Sequence, residues 1–245
     1  MSYEPRTYRR AVDPAGLICV EIVVKETDIL VCAESNVTDL AEDLVHRARW
    51  DLESYIATHP RFVESYVPVQ VEAGAPAIVQ QMARAAWRAN VGPMAAVAGA
   101  VAEYVARGLS VRSPNVIVEN GGDIYIMGDR QRTIALWAGR PGVDLIGLEV
   151  PSGLQPVAVC TSSATVGPSV SFGSAEAVTA LAHDGALADA VVTALANTVH
   201  AEEDIPKAME AAKLVPGVFG VLVTVNGHVG AWGSIHLVPL ERPAQ

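Results

Sequence analysis

The chain has 245 residues, of which 51% are apolar but only 5% aromatic, with a formal net charge of −10. That length buries a substantial core, which Ala, Val, Leu and Ile must fill. The acidic balance argues against nucleic acid, which needs clustered Lys and Arg, and no apolar run reaches the ~18 residues of a membrane span.

Residues 17–24 and 29–33 are rich in Val and Ile and flank the polar stretch Lys25-Glu26-Thr27-Asp28, which predicts a hairpin. Cys19 and Cys32 fall on its two arms. With Cys160 they make no CxxC or zinc spacing, and an odd count is no disulfide framework, so buried thiols are expected. An amphipathic helix over 38–57 follows, stopped at His59-Pro60. Residues 61–72 are expected to be irregular or strand-like. Residues 77–89 and 92–106 predict two small-residue helices. After Ser113-Pro114, strands at 116–118 and 124–126 flank the loop Glu119-Asn120-Gly121-Gly122-Asp123, and 133–137, 145–150 and 156–159 predict further strands. A helix spans 185–197 with Asp184 as its N-cap, and a short one over 205–214 is opened by Asp204 and Pro206. Asn226-Gly227 between 218–225 and 228–238 is a strong hairpin signal. Strands in pairs among helices indicate an α+β protein, a single domain over 1–245.

Three groups of residues carry chemistry. The helix at 185–197 is apolar except for Asp189, Thr193 and Asn197, which stack on one face at i, i+4 and i+8. A helix apolar all round is buried, and a buried carboxylate needs a partner: a hard cation, a polar ligand or a strip of solvent. Asp and Thr are oxygen donors of the kind Mg²⁺ takes. The second group is the 119–123 loop, whose glycines permit close approach of a ligand or simply make a tight turn. The third is Cys160-Thr161-Ser162-Ser163, whose hydroxyls and backbone amides suit phosphate or carboxylate oxygens, or form a structural loop. Cys160 is a nucleophile only if its pKa is lowered, and no base or cation neighbours it in sequence. The histidines form no metal-ligand pair, and there is no phosphate-binding glycine motif of the Rossmann or P-loop kind.

Residues 92–128, GPMAAVAGAVAEYVARGLSVRSPNVIVENGGDIYIMG, resemble the small-residue helix, strand and GG-[DN] loop of ApbE-type FAD:protein FMN transferases. The CTSS run at Cys160 is similar to their Thr-Ser-Gly motif. Residues 177–197, AVTALAHDGALADAVVTALAN, resemble their strand and ALADA…TAL helix. A closer resemblance is to an uncharacterised prokaryotic family related to ApbE, whose members carry CTS-S-x-TVG-x-S-x-SFG, here residues 160–173.

The resemblance implies an ApbE-like α-β roll with a mixed or antiparallel sheet and packed helices, in which 177–182 is a strand. It implies Mg²⁺ at Asp189 and Thr193, FAD or FMN as ligand, and Gly121, Gly122 and Asp123 lining the flavin site. Asn120, Thr161, Ser162 and Ser163 complete the expected ligand-binding set. The chain departs from the transferases in lacking their H-x-x-DPRTG loop, which residues 166–176 replace, and the Lys of their small-residue helix. The expected function is binding of a flavin, nucleotide or other phosphate-bearing small molecule with a divalent cation, with phosphoanhydride transfer or hydrolysis as the reaction class. The alternatives are a sulfur-handling, homocysteine-forming protein with Cys160 as the catalytic residue, and a non-catalytic scaffold. With no signal-like N-terminal segment, a cytoplasmic protein without a membrane partner is expected. The 18% share of charged residues points to surface covered in a homo-oligomer.

Overall fold

The computed structural model describes residues 16–136, 146–163 and 173–240. Strands β1 (Ile18–Val24) and β2 (Thr27–Ala33) form the first hairpin, closed by Lys25 and Glu26 alone, with Lys25 at φ 53°. Helix α1 (Thr38–Thr58) follows, then a one-turn helix α2 (Arg61–Glu64), which corrects the irregular or strand-like reading of 61–72 at its first four residues; 65–72 are irregular as expected. Pro60 sits at the N-cap of α2 with φ −60°, already helical. Helix α3 (Ala77–Ala89) has the expected bounds and ends on Asn90 at φ 56°. A 3-10 turn at Pro93–Ala96 leads into α4 (Val97–Leu109), so the second small-residue helix starts later than its sequence suggests.

Strands β3 (Val116–Asn120) and β4 (Asp123–Met127) are joined by Gly121 and Gly122 only. Both glycines have positive φ, 68° and 102°, the handedness that a two-residue hairpin turn demands. Glu119, Asn120 and Asp123 are therefore strand residues rather than loop. Strands β5 (Arg132–Leu136) and β6 (Ile146–Val150) match expectation; the expected ends at 137 and 145 lie outside the described residues. Strand β7 (Val157–Ser162) runs further than predicted and absorbs Cys160, Thr161 and Ser162, because each pairs in register with β8 (Ala177–Ala182). The chain continues as α5 (Gly185–Ala196), α6 (Ile205–Lys213), β9 (Val218–Val225), β10 (His228–Gly233) and β11 (His236–Pro239). The predicted last strand is split at Gly233, φ 78°, where a side chain would strike the Phe219 carbonyl.

The large sheet has eight strands in the order β1-β2-β3-β4-β7-β8-β9-β10, and β11-β6-β5 form a second sheet. Every neighbouring pair is antiparallel. One face of the large sheet, through Val118, Tyr125, Ala158, Cys160 and Ala180, joins the core built by the helices. The other face packs Ile126, Val157, Val159, Leu181 and Leu222 against Leu136, Leu148 and Val150 of the small sheet. The α+β expectation holds. One thiol expectation does not: Cys19 lies directly opposite Cys32 and the two form a disulfide, with Cα atoms 4.0 Å apart.

Candidate functional site

The site forms where α4 and α5 cross over the ends of β3, β4 and β7. Helix α5 begins at Asp184, whose Oδ1 accepts from the Leu187 amide at 3.0 Å, the expected N-cap. Helices α4 and α5 touch backbone to backbone: a Cβ on Gly99 would lie 2.2 Å from the Gly185 carbonyl oxygen. That contact aims Asp189, on the next turn of α5, at the start of α4. The Gly99 amide donates to Asp189 Oδ2 at 3.0 Å, and the Ala98 amide also acts on this carboxylate. Helix α4 has no side-chain cap of its own, so Asp189 supplies one from ninety residues away. Burial pushes the Asp189 carboxyl up to about 7, and those two amides pull it back.

Strand β4 carries Asp123 to the same place. Continuing the register Ile124↔Val159 by one residue puts Asp123 opposite Cys160. Asp123 is buried, and its Oδ1 has no hydrogen-bond partner among the described residues. Its carboxyl is raised well above the ordinary range by burial and then by the charge of Asp189, against the opposing pull of the Cys160 thiol and the Thr161 amide. Cys160 is itself buried, with its thiol donating to the Gly185 carbonyl at 3.7 Å. Burial, followed by the charges of Asp123 and Asp189, raises its pKa. This surrounding keeps the thiol protonated, the opposite of what a nucleophile requires.

The remaining sequence candidates divide. Asn120 donates from Nδ2 to the Ala98 carbonyl at 3.1 Å, tying the β3 end to the start of α4. Gly122 lies against β7, where a Cβ would meet the Thr161 carbonyl at 3.5 Å, and its amide donates to Glu119 at 2.8 Å. Ser162 is buried, and Ser163 Oγ donates to the Glu176 carbonyl at 2.6 Å. Thr161 points to the opposite sheet face from Cys160 and shares a hydrogen bond with Thr179 at 2.9 Å. Thr193 is half-buried one turn beyond Asp189, and Asn197 is the C-cap of α5. Residues 164–172 of the serine-rich stretch lie outside the described residues.

Glu103 was not singled out in sequence, yet it organises the floor of the site. It is buried, and its Oε2 accepts from the Gly185 amide at 2.6 Å and from Gln81 Nε2 at 2.8 Å. Its Oε1 accepts from Arg107 Nε at 2.6 Å, and Arg107 also donates to the Tyr125 hydroxyl at 2.7 Å. Tyr125 in turn donates to the His183 carbonyl at 3.1 Å. A single acid after the apolar run 97–102 of α4 was the available signal.

Two buried carboxylates thus face one another's field, and neither Lys nor Arg is among the groups acting most strongly on them. Such a pair requires a proton or a cation between its charges. Among the described residues no three His, Cys, Asp or Glu side chains gather as a metal-ligand set. Asp123 and Asp189 are oxygen donors of the kind a hard cation takes, and Thr193 follows Asp189 by one turn on α5.

A family model described as AbpE bacteria matches residues 10–225. A UPF0280 protein of Methanocaldococcus jannaschii is 42% identical over 221 residues, covering 87% of this chain and 90% of the relative. A UPF0280 protein of Methanocella arvoryzae is 35% identical over 213 residues, with coverages of 86% and 87%. Among solved structures, the flavin transferase ApbE from Vibrio cholerae superposes with a TM-score of 0.61 at 12% identity, over 89% of this chain and 96% of that one. The ApbE protein from Thermotoga maritima superposes with a TM-score of 0.52 at 15% identity, over 87% and 96%. These likenesses establish an ApbE-like fold.

Proposed function

This chain belongs to the UPF0280 family of ApbE-related proteins, and on that premise we propose that it binds a flavin nucleotide, or another phosphate-bearing ligand, together with a divalent cation. The observation that carries the reading is the buried pair Asp123 and Asp189, one oxygen of which has no partner among the described residues. Asp189 and Thr193 hold the cation, with Asp123 Oδ1 as a further oxygen donor. Magnesium, when bound there, supplies positive charge that offsets phosphate oxygens.

The chain's own residues do the remaining work. The Gly121-Gly122 turn keeps side chains out of the approach to β7, and Asn120 fixes that turn against α4. Ser162 and Ser163 at the end of β7 supply hydroxyls and amides to the ligand. The Gly99 amide and the α4 dipole keep Asp189 oriented. Transfer or hydrolysis at a phosphoanhydride is the reaction class this arrangement serves, in line with the flavin transferases whose fold it shares.

The test is an FAD titration followed by flavin fluorescence, with Mg²⁺ and with EDTA, on the wild type and on Asp189→Ala. Binding that needs Mg²⁺ and is lost in the variant is the expected result. Equal binding in EDTA would remove the cation from the reading. No binding of FAD, FMN or ADP in Mg²⁺ would remove the nucleotide ligand.

A further inference from the structure

The bond between Cys19 and Cys32 sits where it can open and close without disturbing the fold. Strands β1 and β2 pair in register from Ile18↔Ala33 to Val24↔Thr27, and the turn at Lys25-Glu26 closes them. Cys19 and Cys32 are one rung of that ladder, so the backbone keeps them opposite one another whether or not their sulfurs are joined. Side chains alternate along the strands. Ile22, Ile29 and Val31 enter the core beneath the helices and anchor both arms there, while the two cysteines lie on the opposite face.

The two sulfurs are not equally reachable. Strand β1 stands first in the large sheet, and Cys19 is exposed. Cys32, one strand further in and paired on its other side with Ile117, is 1% exposed. A cleft of about 230 Å³, lined by Cys19 with Ile18, Val20 and residues 35–38, opens beside the outer cysteine. A thiolate displaces a disulfide sulfur in line with the S–S bond, so access selects the sulfur that is attacked, and exposed disulfides are the ones that exchange. Here the attacked sulfur is that of Cys19, and Cys32 leaves.

We propose that Cys19 and Cys32 form a reversible redox pair that takes its electrons from a dithiol through Cys19. One thiolate of the dithiol attacks the Cys19 sulfur. The bond to Cys32 breaks, its electron pair stays on the Cys32 sulfur, and that sulfur takes up a proton. The second thiolate then attacks the dithiol's own sulfur in the mixed disulfide, so that the dithiol departs as a cyclic disulfide and Cys19 takes up a proton. The chain gains two electrons and two protons, and the dithiol loses them. A monothiol stalls after the first step, because the ladder holds Cys32 in place to attack Cys19 and expel it again.

The test exposes the native full chain to dithiothreitol, or to 2-mercaptoethanol at the same thiol concentration, without denaturant. Samples are quenched in acid, unfolded and alkylated, and alkylated Cys19 and Cys32 are located by mass spectrometry. Dithiothreitol is expected to free both cysteines with unchanged circular dichroism, and transfer into excess cystamine, itself a disulfide, to re-form the bond. The monothiol is expected to free at least about tenfold less. Native Cys32→Ser in cystamine should carry an adduct on Cys19, and native Cys19→Ser none on Cys32. A disulfide that yields to dithiothreitol only in urea overturns the proposal. So does unfolding on reduction, a monothiol as effective as the dithiol, an adduct on Cys32 of Cys19→Ser, or a chain whose two thiols stay free in cystamine.

Discussion

Replacing Glu103 with Ala tests whether the floor of the site is held by one buried carboxylate. The lost interactions are unequal. The bond from the Gly185 amide at 2.6 Å is buried at both ends and goes to a charged acceptor, so it contributes about 1.5–3 kcal/mol. Gln81, only partly buried, adds about 1 kcal/mol. The Arg107 side chain is 52% exposed, so water screens its ion pair and it adds no more than about 0.5 kcal/mol. The alanine also strands the Gly185 amide at a helix start with no acceptor. The expected loss is about 3–5 kcal/mol, most of it from the two hydrogen bonds to the buried carboxylate and the stranded amide. Equilibrium urea unfolding, followed by the fluorescence of the four Trp residues, reads this directly. With a slope of about 2–3 kcal/mol per molar urea, the midpoint falls by about 1–2 M. Glu103→Gln, which retains an oxygen for Gly185, is expected to lose about half as much. A midpoint for Glu103→Ala within about 0.3 M of wild type would refute the reasoning, because it would mean that the amide and Gln81 find other partners at no cost.

Three further outcomes follow from the same geometry. Gly99→Ala drives a methyl to 2.2 Å from the Gly185 carbonyl; the helices must separate, and thermal unfolding should show a loss of about 1–3 kcal/mol. Asp189 has a folded pKa of about 7, above its usual 3.8, so between those values the native chain binds more protons than the unfolded one. In EDTA, stability should therefore fall as pH rises from about 4 to about 7, Asp189→Asn should make that fall shallower while leaving the share that the buried Asp123 contributes, and Mg²⁺ should restore stability to the wild type alone; a flat wild-type profile contradicts the assignment. Cys160 is buried with a raised pKa, and Cys19 is bonded to Cys32. Ellman's reagent should find no reactive thiol in the native protein and one per chain after denaturation without reductant, whereas three would mean that the disulfide is absent.

Much of the architecture was legible because local patterns and the global fold agree. The Val and Ile runs gave the hairpin strands, Asp184 marked the start of α5, and Asn226-Gly227, at φ 52° and 79°, made the turn its sequence demands. The misreadings at Cys160–Ser162, Asp189 and Glu103 share one cause, which is pairing between distant segments. Cys160, Thr161 and Ser162 look like a hydroxyl-rich loop, but β8 holds them as strand and sends Thr161 to the far face. The partner of Asp189 was sought as a cation, a ligand or solvent, and the structure adds a fourth kind, the bare N-terminus of another helix. Glu103 meets Gly185 across 82 positions, a separation that no periodicity encodes. Cys19 and Cys32 became partners only through strand register.

The contact between Gly99 and Gly185 fixes how the chain tolerates change. Where two helices meet through side chains, each substitution alters their spacing, and anything mounted on them drifts. Here main chain rests on main chain, and the stop is the van der Waals radius of a carbonyl oxygen. Size-conserving exchanges among the Ala, Val and Leu residues elsewhere on α4 and α5 then act on stability before they alter the distance from Asp189 to the Gly99 amide. Two positions lacking a side chain act as the gauge for a carboxylate several residues away, and sequence drift around them leaves that gauge unread.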